Sequence, residues 1–268
     1  MRIICHVAVN VFKESVRDKV LYNLVAFASL LIAVSYLLGQ LTAGQDVKIV
    51  KDLGLAAIAT FGLLIAVFIG IGLVWKEVER RSIYGLLSKP IRRSEFIVGK
   101  YAGLALTLLV NVVVMTVVFY AVLAYLNTQF PAAVRSAWPA PATDPGMLPA
   151  IVLIFVELLL VTAIALFFST FSSPFLSAAL TVGLWVIGHF NADLRNFEAV
   201  VESRPAAYLA RGLYYLLPNF AAFDIKTQVV HALPVPAAYV VTTALYGLLY
   251  VALLLTGAVV IFSRRDFK

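Results

Sequence analysis

Residues 76–100 read KEVERRSIYGLLSKPIRRSEFIVGK, between GLLIAVFIGIGLVW (62–75) and YAGLALTLLVNVVVMTVVFYAVLAYL (101–126). Ten of the 25 residues in the block are charged, and neither flank carries a charge. The uncharged runs to which they belong, 53–75 and 101–126, are long enough to cross a hydrocarbon core of about 30 Å as helices rising about 1.5 Å per residue. The block must remain in water. This stretch therefore decides the fold: a helical hairpin through a membrane, with its tip outside.

The rest of the chain agrees. Of 268 residues, 62% are hydrophobic and 13% are charged, and the mean hydropathy is +0.97. A soluble domain carries about 25% charged residues, and so much apolar surface exceeds what one globular core buries. Lipid is the expected solvent for most of the chain. Five runs have spanning length: 21–41, 53–75, 101–126, 148–171 and 237–262. A sixth, 175–190, has only 16 residues, about 24 Å of helix. Six spans would put both termini on one side.

Charge sets the orientation. The stretches 1–20, 76–100 and 263–268 hold 14 Lys and Arg. The other loops and span ends hold seven: Lys48, Lys51, Arg135, Arg195, Arg204, Arg211 and Lys226. By the positive-inside rule, both termini and the 76–100 block are cytoplasmic. The net charge of +7 thus has a membrane explanation, and nucleic acid is not an expected partner. The first 20 residues lack an uninterrupted apolar core and a small-residue cleavage site, so the first span is expected to direct insertion.

Residues 1–20 read as an amphipathic helix. Ile3, Ile4, Val7, Val11 and Val16 recur at helical spacing opposite Lys13, Glu14, Arg17 and Asp18. The helix either lies along the membrane surface or continues the first span. The segment 127–147, with Pro131, Pro139, Pro141 and Pro145, reads as an irregular external connection. Residues 191–236 read as two short external helices on the outer leaflet. The first carries Phe197, Val200 and Val201. The second opens at Pro205, carries Tyr208, Leu209, Leu213, Leu216 and Leu217, and closes at Pro218-Asn219. Tyr208, Tyr214, Tyr215, Phe220 and Phe223 suit interfacial depth. No internal repeat is apparent.

Chemistry-bearing motifs are few. Gly99-Lys100 is followed by Tyr101 rather than Ser or Thr, and Ser94 stands where a phosphate loop needs glycine. The chain is therefore not expected to bind ATP by that motif. Cys5 is the only cysteine, and His6, His189 and His231 fall in separate segments, so neither a disulfide nor a metal site is expected. No catalytic residue suggests itself. Inside the spans, Glu157 is the acidic group, and Thr107, Asn111 and Thr116 are the polar groups of the third span. Such groups either line a substrate or proton path, or bond between helices to fix packing. Gly62, Ala66 and Gly70 form a stripe of small residues suited to close helix contact, within one chain or across a dimer. Tyr84, Leu86 and Leu87 are apolar groups in a wet block. They call for either a partner's groove or the membrane surface.

The order E-x-x-R-x-S-x-Y-x-L-L-S-x-P-x-x-R-x-E-F-x-x-G-K over residues 77–100 resembles the cytoplasmic loop of ABC-2 type transporter permeases. ALFFSTFSSPFLSA (165–178) is similar to that family's junction between the fourth and fifth spans. Leu217-Pro218-Asn219-Phe220 resembles its external segment, and Ser263-Arg264-Arg265-Asp266-Phe267 its tail. The resemblance covers nearly the whole chain. It implies an all-α membrane protein: one permease domain over 1–268, with six transmembrane helices, an N-terminal interfacial helix and a cytoplasmic coupling helix between spans two and three.

It further implies a dimer in the bacterial cytoplasmic (inner) membrane, joined to a separate ATP-binding cassette ATPase that holds the ATP and Mg²⁺. Carried over by position, Ser82, Ile83, Tyr84, Leu86, Leu87, Ser88, Pro90, Arg93, Glu95 and Phe96 would meet that ATPase. Glu77 and Arg80 would form the stem, and Ser169, Ser172, Ser173 and Pro174 a secondary contact. The substrate path would pass Ser29, Ser35, Thr60 and Thr181, between the first, second and fifth spans of the two copies. Family members move polysaccharides, lipids, drugs and ions, and some serve in the assembly of periplasmic metalloenzymes. Export is the implied direction. Two other expectations compete: a self-contained channel or proton-coupled carrier dependent on Glu157, and a structural membrane anchor.

Overall fold

The computed structural model describes residues 2–40, 46–79, 92–190, 211–212 and 214–264. Seven helices carry the fold: α1 (Arg2–Val16), α2 (Lys19–Gln40), α3 (Asp46–Glu79), α4 (Arg93–Gln129), α5 (Leu148–Ser169), α6 (Pro174–His189) and α7 (Ala237–Arg264). The described residues contain no strand. Five of the helices are long and apolar enough to cross a membrane, α2 to α5 and α7, while α6 is an apolar helix of 16 residues. From α2 onward the helices alternate in direction. One end of the bundle, the stem end, gathers α1, the end of α3, the start of α4, the α5–α6 junction and the end of α7.

The apolar runs locate the helices but understate two of them. α3 has 34 residues and α4 has 37, about 50 and 55 Å at helical rise. Lys76, Glu77 and Glu79 on α3, and Arg93 and Glu95 on α4, continue the helices past the apolar sequence, because such residues favour helix as well as water. The chain also stays helical through Asn127–Gln129, stopping where Phe130 precedes Pro131 and is driven to extended geometry (φ −105°, ψ 138°). The rest of that connection is partly ordered, with one helical turn at Ala132–Arg135 and a 3-10 turn at Pro145–Met147. α6 opens on Pro174, whose missing N–H costs nothing at a helix start.

α5 is the hub. Its apolar stretch is 72% buried, against 22% for α2 and for α7, so α5 sits inside the bundle and those two face outward. It is apolar around its whole circumference, as an enclosed helix must be. It packs on α3, α4, α6 and α7. The small-residue stripe is what admits α3. A Cβ on Gly62 would lie 2.4 Å from Leu158 Cδ1, and one on Gly70 would lie 2.6 Å from Ala165 Cβ. The stripe therefore serves contact within the chain. Ala165 has no rotamer by which to yield, so Gly70→Val should push the helices apart and cost about 1–3 kcal/mol. Thermal denaturation in mild detergent checks this. Gly183→Val is the control, because its Cβ would meet nothing within 4 Å.

At the other end of the bundle, the expectation for the aromatics is corrected. Tyr215 is exposed and Tyr214 half-buried, but Phe220 and Phe223 are fully buried. They lie on a 3-10 turn, Phe220–Phe223, wedged against α5 and α6. Phe220 enters over Gly188, where a Cβ would stand 2.4 Å from its ring and 2.6 Å from the Pro218 carbonyl. Burial of two large rings against close-packed helices outweighs their interfacial preference. A helix at Lys226–Val230 follows. Phe197, Val200, Val201, Pro205, Tyr208, Leu209 and Leu213 lie outside the described residues.

Candidate functional site

Most of the expected contact with an ATPase falls on residues 80–91, so Arg80, Ser82, Ile83, Tyr84, Leu86, Leu87, Ser88 and Pro90 lie outside the described residues. Glu77 lies on the last turns of α3 with its side chain outside the description. What the structure supplies is the frame around that link: α3 up to Glu79, α4 from Arg93, and what grips them.

α4 is held on two sides at its first turns. Glu95 Oε2 accepts from the Arg92 backbone N–H at 3.2 Å, closing the N-terminus. Arg93 Nη1 donates to the carbonyls of Phe262 (3.1 Å) and Ser263 (2.8 Å). These are last-turn carbonyls of α7, unpaired within their own helix and at its negative dipole end, so a guanidinium suits them on both counts. Phe96 stacks on Phe262, with centroids 5.9 Å apart and planes at 20°. Ile97, Leu166 and Ala258 complete this cluster, which ties α4, α5 and α7 together. Lys100 is fully buried, its ammonium 4.7 Å from the centroid of the Phe96 ring.

On its other side α4 receives α1. A Cβ on Gly99 would lie 2.8 Å from Val7 Cβ, and one on Gly103 would lie 2.6 Å from the Ala8 carbonyl. Only glycine at both positions lets the α1 backbone come so close. Val7 and Val11, two of the apolar positions that marked α1 as amphipathic, fill this seam beside Leu104. Cys5 is exposed.

The α5–α6 junction lies at the same end. Its hydroxyls are satisfied locally: Ser169 donates to the Leu166 carbonyl (2.7 Å), and Ser172 donates to that of Phe168 (2.8 Å) and lies 2.7 Å from Ser177 Oγ. Ser173 is the N-cap of α6 and Pro174 its first residue. Phe171 and Phe175 remain exposed, Phe175 at 85%. The junction is thus a rigid tip with aromatic groups outward.

The expected path residues do not form one surface. Ser35 and Thr181 are fully buried, and their hydroxyls donate to the carbonyls of Ile32 (2.6 Å) and Ser177 (2.6 Å) of their own helices. Ser29 is half-buried and Thr60 exposed. Thr107 and Thr116 likewise donate to their own helix. Asn111 is buried, with its Nδ2 lacking a partner.

Glu157 has the richest surroundings. Trp185 Nε1 on α6 donates to its Oε1 at 2.8 Å, and His189 Nε2 lies 3.8 Å from the same oxygen. His189 Nδ1 donates to the Trp185 carbonyl (3.1 Å), the only role an acceptor carbonyl allows. Its ring stacks on Phe220, 5.8 Å away and 4° from parallel. The cluster joins α5, α6 and the Phe220–Phe223 wedge. Trp185 and His189 were not singled out together from sequence. The available signal was their spacing of four, which puts both on one face of α6. Lys51 was also missed. It was counted as a loop-side cation, yet it is buried and donates from Nζ to the Pro141 carbonyl at 2.9 Å, pinning the α4–α5 connection to α3. Tyr120 pins the same connection by donating to the Asp144 carbonyl (3.1 Å). Among the described residues no cluster of His, Cys, Asp and Glu could hold a metal.

Residues 6–267 match a family model described as "ABC-2 family transporter protein". No curated protein is significantly similar to the chain.

Proposed function

From the premise that this chain is a member of the ABC-2 transporter family, we propose that it is the permease subunit of an ATP-driven exporter. Two copies form the substrate path, and a separate cassette ATPase, carrying ATP and Mg²⁺, supplies the energy through residues 76–100. The stem end then faces the cytoplasm, both termini with it. α6 completes the six spans, and α1 lies along the membrane surface.

The observation that carries this reading is the double grip on α4. A link joining the two longest helices transmits force only if those helices move other parts. Arg93 and Phe96 fasten α4 to the end of α7, and Gly99 and Gly103 seat α1 on it. A push on the link would therefore displace α1, α4 and α7 together rather than bend one helix. The α5–α6 tip at the same end is suited to a second contact. A self-contained carrier would need Glu157 free to exchange protons or ions, whereas its bond to Trp185 between helices supports packing.

The test is capture and transport. The full-length chain, expressed with a cassette ATPase encoded beside it, is expected to retain that ATPase through detergent purification, and reconstituted vesicles should show ATP-dependent movement of solute. Failure to retain any ATPase would overturn the permease reading. Retention without movement of any solute would favour the anchor.

A further inference from the structure

At the end of the bundle opposite the stem, a hollow of about 230 Å³ opens between the first turns of α3, the 131–147 connection and Val230. Lys48 and Lys51, three residues apart and so on one face of α3, line it on one side, and Trp138 lines it on the other. Among the described residues, neither a carboxylate nor an arginine is in its lining. Lys51 is 2% exposed. It gives one N–H to the Pro141 carbonyl at 2.9 Å, which meets a donor but not a charge. Asp144 acts on that charge through space, yet its Oδ1 accepts from the Gly146 N–H at 2.8 Å, and no carboxylate among the described residues stands within ion-pair distance of Lys51. Lys48 is half-buried and also has no ion pair among them. The exposed Asp52 shares a neighbouring hollow with Lys48 and does not line this one.

A charge removed from water without a counter-ion is costly. A lysine at a membrane surface ordinarily avoids this by snorkelling outward; Lys51 instead turns into the protein beside a cavity. A neutral occupant would seal its charge further from water, and a cation would be repelled. An anion meets both lysines, Lys48 by direct contact and Lys51 through its charge in the wall. Two point-like ammonium groups without an arginine fork suit the tetrahedral oxygens of phosphate better than a planar carboxylate. We propose that this hollow binds a phosphate group, with the Trp138 ring covering the body that carries it. Both lysines stand just before the apolar run that starts at Leu53, at the depth of lipid headgroups. A phospholipid headgroup and a free phosphate ester share this chemistry.

The test is binding of radiolabelled dioleoyl phosphatidylglycerol to the full chain in maltoside micelles, corrected for protein-free micelles. It should bind about ten-fold or more tighter than dioleoylglycerol, which has the same chains and no phosphate, a difference that charge-assisted contacts supply. Lys48→Gln should remove that preference, and its half-buried side chain makes it the variant least able to disturb the fold. Lys51→Met should remove it as well, with Tm read alongside because the Pro141 contact is lost. Arg135→Gln is the control: this exposed cation lies on the same connection outside the lining, and its loss should leave binding unchanged. Glycerol 3-phosphate identifies the source: displacement of the lipid assigns the site to a free phosphate ester, and no displacement assigns it to the headgroup. Equal binding of dioleoylglycerol, unchanged binding in Lys48→Gln, or an equal loss in Arg135→Gln would overturn the proposal. Neither ATP nor an ATPase is needed, so failure here leaves the permease reading intact.

Discussion

Tyr84→Asp combined with Leu87→Asp is expected to abolish retention of the ATPase and, with it, all ATP-dependent transport. The two residues are an aromatic and an aliphatic group near the middle of a block in which most positions are charged, Gly or Ser. In water they have no reason to be apolar unless something covers them. Buried aromatic and aliphatic anchors at such interfaces contribute about 2 kcal/mol each. Replacing both with carboxylates removes that contribution and adds a desolvation penalty, so affinity should fall by at least about 100-fold. Titration of the purified ATPase onto the chain in nanodiscs reads this directly. The bundle should be unaffected, because the seams holding α4 begin at Arg93 and lie beyond the block's tip. An unaltered Tm is the control. If the double variant binds ATPase normally, the contact lies elsewhere, and the exposed Phe171 and Phe175 at the α5–α6 tip become its first candidates.

How much of this was readable in the sequence depends on where the deciding partner lies. The helices over 21–41, 148–171, 175–190 and 237–262 were legible to within a few residues, because lipid imposes a length and an apolar composition on each segment by itself. α3 and α4 overran their apolar runs because hydropathy marks where lipid ends, not where helix ends. The stripe Gly62, Ala66 and Gly70 announced a close contact but not its partner. Only the fold supplies Leu158 and Ala165. The same holds for Phe220. Alone, it reads as an interfacial aromatic. Gly188, far away in sequence, is the other half of its socket, and a glycine inside an apolar helix was the available hint. Lys51 misled the charge count in a similar way, since burial onto the Pro141 carbonyl is invisible to a rule about loops.

Glu157→Gln and Glu157→Leu are expected to behave differently, and the difference separates packing from proton or ion exchange. Glutamine keeps a carbonyl oxygen where Oε1 accepts from Trp185 Nε1 at 2.8 Å. If the role of the side chain is to join α5 to α6, transport by the glutamine variant should stay within about two-fold of the parent, since a neutral acceptor retains most of such a bond. Leucine offers no acceptor. The indole N–H would then be buried without a partner beside the His189 ring, whose centroid is 4.4 Å from that of Trp185. Leaving such a donor unsatisfied costs about 1–3 kcal/mol, and in lipid no water relieves it. The leucine variant should therefore unfold at a lower temperature in detergent. Part of that loss should return when Trp185→Phe removes the stranded donor, a rescue that a proton-exchange role would not give. A carrier dependent on Glu157 predicts the reverse order of effects: glutamine, which cannot ionise, would be as inactive as leucine while remaining as stable as the parent. Vesicle transport and thermal denaturation, measured on the same three variants, distinguish the two.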